Sequence, residues 1–281
     1  HGREDRYHCL PWRRSVSKRK ALFFDIDGTL LSEVTKTVPE SAKKAISIAR
    51  SLGHLVYINT GRSYGEIDQV RNIAEVDGWL CGCGTYVESE GKTILNRLMP
   101  VKQVQRIARL AVDSDADIFL EGPGVCYYCS QFGRMPFGQQ LRKNFGNTIE
   151  WLEPEAVCGE VNKFCLLTDE QSDRTGLFRN LDLDIAVIDR GEGFYECVPE
   201  GFTKATAIDV VLENYGLTLE DAYVFGDSTN DIAMFEHVPN AVLMGRHSPE
   251  LEPYASFLTK TVEQDGIWYA MEKLGLLNEE V

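Results

Sequence analysis

Short apolar runs recur along the chain, and most end in a glycine, an acid or a hydroxyl residue. The first, Ala21-Leu22-Phe23-Phe24, leads into Asp25-Ile26-Asp27-Gly28-Thr29. A continuous apolar run of this length reads as a strand buried on both faces, as in a parallel sheet. The pattern then predicts a helix over 38–52, with Pro39 near its start and Gly53 after its end. A strand over 54–59 runs into Thr60-Gly61-Arg62-Ser63, a helix is expected over 63–74, and a short strand over 79–81. Strand–helix–strand–helix–strand is the alternation of a parallel α/β sheet.

The rhythm changes after Gly82-Cys83-Gly84. Two short strands are predicted within 87–98 around Glu90-Gly91, a helix over 101–112, and antiparallel strands at 118–120 and 125–128 around Gly122-Pro123-Gly124. Further strands are expected at 161–167, 185–188 and 194–198, with a helix over 170–181. From Thr203 the alternation resumes: helix 203–215, strand 222–225, helix 231–235, strand 241–244, a possible strand at 257–258 and a closing helix over 267–274. The expected architecture is α/β: a Rossmann-like parallel sheet flanked by helices, formed by 21–83 and 193–281, with an α+β cap inserted as 84–192. Residues 1–20 show no periodicity and read as an N-terminal extension, native or appended, outside the fold.

The chain has 281 residues with a net charge of −14, and residues 1–20 carry seven Lys/Arg against two Asp/Glu. The remainder is therefore strongly acidic, which disfavours a nucleic-acid phosphate backbone as partner. Eight cysteines are too sparse for a disulfide scaffold, and neither Cys81-Gly-Cys83 nor Cys126-Tyr-Tyr-Cys129 has the second pair that a zinc site needs. No apolar run reaches the length of a membrane span. These features predict a reducing, cytoplasmic location with no membrane partner.

Three predicted strand ends carry polar residues, and parallel strands bring such ends to one edge of a sheet, where ligands bind. Asp25 and Asp27 are like charges that need a cation between them or a proton on one. Magnesium, which takes oxygen ligands, would find carboxylates on Asp25 and Asp227 and a backbone carbonyl at Asp27. A phosphate beside that ion would find donors in the Thr60 hydroxyl, the Gly61 N–H, the Asn230 amide and the Lys204 ammonium.

With these residues in order (Asp25-x-Asp27-Gly-Thr, Thr60, Lys204 and Gly-Asp227-Ser-Thr-Asn230-Asp231) the chain resembles the haloacid dehalogenase (HAD) superfamily of phosphatases. The insertion between Thr60 and Lys204 resembles subfamily IIB, the Cof-type sugar-phosphate phosphatases. The resemblance implies that Asp25 is the nucleophile, that Asp27 is the general acid and base, and that Asp231 orients Lys204 or a metal-bound water. It implies a small phosphate ester as partner, the most natural being a sugar phosphate, and a monomer or weak homodimer. A phosphomutase of the same superfamily and a non-hydrolytic phosphate-binding or signalling module are the alternatives. Cys83-Gly84 and Met244-Gly245-Arg246-His247 depart from the family pattern; Cys83 reads as a packed hinge residue, and Arg246 as a solvated loop residue or a contact to an anion. Phe119, Tyr127, Tyr128 and Phe132 are expected to pack the cap sheet, and His54 is assigned no role.

Overall fold

The computed structural model describes residues 18–145 and 149–278, so the expected extension lies almost wholly outside the described residues. In chain order the first strands and helix are β1 (Ala21–Phe24), α1 (Glu40–Ser51), β2 (Leu55–Asn59), β3 (Gly78–Cys81), β4 (Tyr86–Ser89) and β5 (Lys92–Asn96). Then come α2 (Val101–Asp113), β6 (Asp117–Glu121), β7 (Cys126–Cys129), α3 (Pro136–Phe145), β8 (Ile149–Trp151) and β9 (Lys163–Leu167). The chain continues through α4 (Arg174–Asn180), β10 (Ile185–Asp189), β11 (Phe194–Pro199), α5 (Lys204–Tyr215), β12 (Ala222–Gly226) and α6 (Ile232–His237). It closes with β13 (Asn240–Leu243), β14 (Phe257–Leu258) and α7 (Gly266–Lys273).

Two sheets result. The first has the order β14-β13-β12-β1-β2-β3-β4-β5, parallel from β14 to β3. β1 is fully buried because alternate residues serve opposite layers. Leu22 and Phe24 pack toward α1 and α7, while Ala21 and Phe23 pack toward α5 and α6. The second sheet, β10-β11-β9-β6-β7-β8, is antiparallel except for β7 with β8. Among the described residues no helix is long and apolar enough to cross a membrane.

Sheet membership differs from the expected division at 84–192. β4 and β5 extend the first sheet as an antiparallel edge, joined by Glu90 and Gly91, both at positive φ as a tight hairpin requires. β11, expected with the core, pairs with β9 and β10 of the second sheet. The helix expected over 63–74 is absent: a single turn at Tyr64–Glu66 gives way to further turns. Ile67 and Val70 are buried with helical spacing, but the backbone is committed elsewhere. The Gly65 N–H donates to Gly122 O at 3.1 Å, and a Cβ at Gly65 would lie 2.5 Å from Gly124 O. Only glycine allows this loop to dock on the β6–β7 turn. α3 and β8 were not legible, since Pro136 and Gly138 interrupt a weak apolar pattern. Phe132, expected to pack the sheet, is largely exposed.

Candidate active site

The carboxyl ends of β1, β2 and β12 meet at one edge of the first sheet. Gly28 turns the chain away from β1 at φ +85°, and a Cβ there would lie 2.3 Å from Asp227 Oδ2. The glycine of the Asp-x-Asp-Gly-Thr run thus makes the turn and leaves room for the carboxylate of the neighbouring strand. Thr29 Oγ1 donates to Asp227 Oδ1 at 3.1 Å, fixing that carboxylate from the other side.

Lys204 is the first residue of α5, whose N-cap Thr203 accepts hydrogen bonds from the N–H groups of Ala205 and Thr206. Its ammonium is fully buried and bonds Asp25 Oδ1 and Asp231 Oδ1, each at 2.7 Å. Asp231 Oδ2 accepts from the N–H groups of Asp227 and Ser228, so both of its oxygens are engaged. Asp25, Asp27, Thr60, Gly61, Asp227 and Asn230 line a common cavity of about 310 Å³, with Lys204 and Asp231 buried behind it.

Asp25, Asp227 and Asp231 each present an oxygen within 4.8 Å of the others. With Asp231 occupied by Lys204 and two backbone donors, Asp25 and Asp227 remain to face a cation. Burial holds the Asp25 carboxyl well above the usual range despite the attraction of Lys204, and Asp231 and Asp27 add to the rise. Burial, with Asp25 and Asp231 as neighbours, does the same to Asp227. A buried and a half-buried carboxylate that resist ionising side by side, with room guarded by Gly28, fit a small divalent cation with oxygen preference.

Several polar contacts were not read from the sequence. Arg62 grips both oxygens of Asp27, Nε to Oδ2 at 2.9 Å and Nη2 to Oδ1 at 2.7 Å. Its backbone N–H donates to Thr60 Oγ1. The second sheet adds a buried network: Lys163 Nζ lies 2.9 Å from Glu121, 3.0 Å from Glu196 and 3.2 Å from Gly61 O. Arg190 joins Glu196 at 3.0 Å and reaches Ser228 Oγ at 3.5 Å. Burial alone would raise Glu196, but Lys163 and Arg190 hold it down to about 2. A lysine and a glutamate inside apolar strand runs, as in Lys163-Phe-Cys-Leu and Glu196-Cys-Val, were the available signal.

Cys83 is buried at φ 51° in the turn between β3 and β4, and burial with Glu196 nearby pushes its thiol up, away from thiolate chemistry. Arg246 is mostly exposed and stands 3.8 Å from Glu263.

Lys204→Met is expected to destabilise the metal-free protein by about 3–5 kcal/mol at pH 8, because it strands Asp25 and Asp231 without their cation. With the ammonium gone, the folded state holds a proton that the unfolded chain releases at lower pH. The loss therefore grows as pH rises above the ordinary carboxylate range. Urea unfolding of the two proteins in chelator at pH 5 and pH 8 checks this; an unchanged midpoint at pH 8 contradicts it.

The family model described as haloacid dehalogenase-like hydrolase matches residues 22–271. The putative phosphatase YkrA of Bacillus subtilis is 29% identical over 260 residues, covering 92% of this chain and 98% of that protein. A second B. subtilis protein, 5-amino-6-(5-phospho-D-ribitylamino)uracil phosphatase YwtE, is 30% identical over 282 residues, covering 91% and 98%. Among solved structures, a hypothetical protein of Geobacillus kaustophilus HTA426 superposes with TM-score 0.80 at 27% identity, covering 92% of this chain and 100% of that one. The HAD subclass IIB sugar phosphatase BT4131 superposes with TM-score 0.78 at 27% identity, covering 92% and 99%.

Proposed function

The chain belongs to the haloacid dehalogenase-like hydrolases of subclass IIB and is a phosphatase, and from that premise we propose that it hydrolyses a small phosphomonoester with a hydroxylated, sugar-like leaving group through an aspartyl-phosphate on Asp25. One observation carries this reading. Asp25 faces a cavity at the carboxyl edge of the parallel sheet while Lys204, itself anchored by Asp231, holds it from behind.

In this reading an Asp25 oxygen attacks phosphorus and forms the acyl phosphate, so one difficult hydrolysis becomes two easier steps. Asp27 must first leave its two-point pair with Arg62 and take up a proton on one oxygen; it then gives that proton to the departing alkoxide and takes one back from the water that attacks the acyl phosphate and frees Asp25 and inorganic phosphate. Arg62 holds the Asp27 side chain in place at the cavity wall until the ester binds. The Thr60 hydroxyl, the Gly61 N–H and the Asn230 amide bind phosphoryl oxygens. Lys204 neutralises Asp25 and shares its charge with the incoming phosphoryl group, held in place by Asp231. Asp25, Asp227 and the Asp27 carbonyl would hold magnesium, which would supply positive charge to offset repulsion between nucleophile and phosphate. The second sheet, with the chain from α2 through β11, forms the cap: it faces the leaving group and keeps bulk water from the acyl phosphate.

The test is release of inorganic phosphate from a panel of phosphomonoesters in magnesium, with product isomers measured in parallel. Phosphate release at enzyme-dependent rates is expected. Isomer formation without phosphate release makes the protein a mutase, and the formation of neither product from any ester overturns the catalytic reading.

A further inference from the structure

The turn after β2 carries Thr60, Gly61 and Arg62, and its three carbonyls are served by different parts of the molecule. The Cys83 N–H donates to Thr60 O at 3.3 Å and the Gly82 N–H to Arg62 O at 2.7 Å, both from the turn between β3 and β4. The carbonyl between them, Gly61 O, takes its hydrogen bond from Lys163 Nζ on β9 at 3.2 Å. An ammonium has three protons and no acceptor. Glu121 and Glu196, both on the second sheet, take two of the Lys163 protons, and the third crosses to the first sheet's turn. No side chain separates the two: a Cβ at Gly61 would lie 2.7 Å from Glu196 Oε1.

Gly61 O and the Arg62 N–H belong to one planar peptide unit, so a donor on the oxygen fixes where the N–H points. That N–H donates to Thr60 Oγ1 at 3.1 Å. Thr60 is buried and lines the cavity that Asp25 faces. Its hydroxyl, having accepted one proton, has its own left to give. The chain therefore runs from the Lys163 ammonium through the Gly61 carbonyl and the Arg62 N–H to the Thr60 hydroxyl. A charged donor at one end of such a chain polarises the bonds that follow it.

Resting on the assignment of Thr60 as a ligand of the phosphoryl group, we propose that Lys163 is a positioning residue for that group's binding site. It holds the Gly61–Arg62 peptide, and the peptide holds the Thr60 hydroxyl, so its action needs no contact with phosphate or leaving group. Glu121 and Glu196 keep the buried ammonium charged and aimed, since carboxylates at hydrogen-bond distance favour the protonated amine. The phosphoryl site at the edge of the first sheet is thus finished by a lysine from the second, and it is complete only while the cap is docked.

Titration calorimetry of inorganic phosphate with the full chain in magnesium reads the site without turnover. Thr60→Val is expected to weaken phosphate binding by about tenfold and Lys163→Met by about fivefold. The double variant should stay within about twofold of Thr60→Val, because the lysine acts through the hydroxyl. Lys163→Met should also lower kcat/KM by one common factor for esters with different leaving groups. Its Arg62 amide should exchange hydrogen faster while the amides of β1 keep their native rates, a pattern that general loosening does not give. Lys163→Met combined with Glu121→Gln removes a stranded carboxylate and leaves Glu196 its Arg190 partner. It carries the same expectations and is read where the single variant unfolds early. Undiminished phosphate affinity in the folded Lys163 variants, or losses that multiply when Thr60→Val is added, overturns the Lys163 assignment and leaves the proposed function standing. A Thr60→Val protein that binds phosphate as tightly as the native one overturns the Thr60 assignment and this proposal together.

Discussion

Asp25→Asn is expected to lower kcat/KM for every phosphomonoester by about 10⁴-fold or more, a loss of the size seen when a catalytic nucleophile is removed. That ratio corresponds to about 5.5 kcal/mol of transition-state stabilisation. The amide keeps an oxygen for the Lys204 ammonium, now 2.7 Å from Asp25 Oδ1, so the local hydrogen bond survives. It cannot form the acyl phosphate, and it binds a divalent cation poorly. The fold should be unharmed, because burial already makes the Asp25 charge costly and Lys204 retains Asp231 as partner. Steady-state kinetics in excess magnesium, with a thermal melt of the same preparation, checks both halves. A correctly folded variant with more than about 1% of native turnover would place the nucleophile elsewhere.

Removing divalent metal is expected to abolish turnover, with magnesium restoring it and calcium failing to do so. Burial holds both Asp25 and Asp227 above the usual carboxylate range, with Asp231 and Asp27 adding to the rise at Asp25 and with Asp25 and Asp231 adding to it at Asp227, and a bound cation relieves that repulsion. Calcium's larger and looser shell favours bidentate capture of a carboxylate, which would hold the Asp25 oxygen needed for attack. A second readout needs no substrate. A cation that binds only the folded state stabilises it by about 2.7 kcal/mol at one hundred times its Kd. Magnesium should therefore raise the melting temperature of the native enzyme and do so much less in Asp227→Asn. Full turnover in excess chelator, or equal stabilisation of both proteins by magnesium, contradicts this metal site.

Arg62 and the Lys163 network are contacts that no local pattern in the chain encodes. Arg62 lies next to Thr60-Gly61, yet its bidentate hold on Asp27 depends on how closely the ends of β1 and β2 approach. Lys163 and Glu196 are 33 positions apart in the chain and meet because β9 and β11 pair in one register. A shift of one residue in either strand would turn its charged residue to the opposite face, toward the apolar cluster of Leu120, Phe164 and Leu166.

The sequence by itself determined the α/β class, the parallel order of strand ends and the run of acids at those ends. These follow from local rules: continuous apolar runs, breaking glycines and alternating periods all act over a few residues. It also determined which residues gather at the sheet edge, because parallel strands leave little freedom in where their carboxyl ends lie. Tertiary structure alone decided that 63–74 would not be a helix, since Gly65 gives its N–H to Gly122 rather than to its own segment. It decided that β4 and β5 complete the first sheet and that β11 joins the second. It also decided which cation partners which carboxylate around Asp25. Those outcomes depend on pairings between segments distant in the chain, where backbone donors and buried charges must find partners wherever packing brings them, and no local period records that choice.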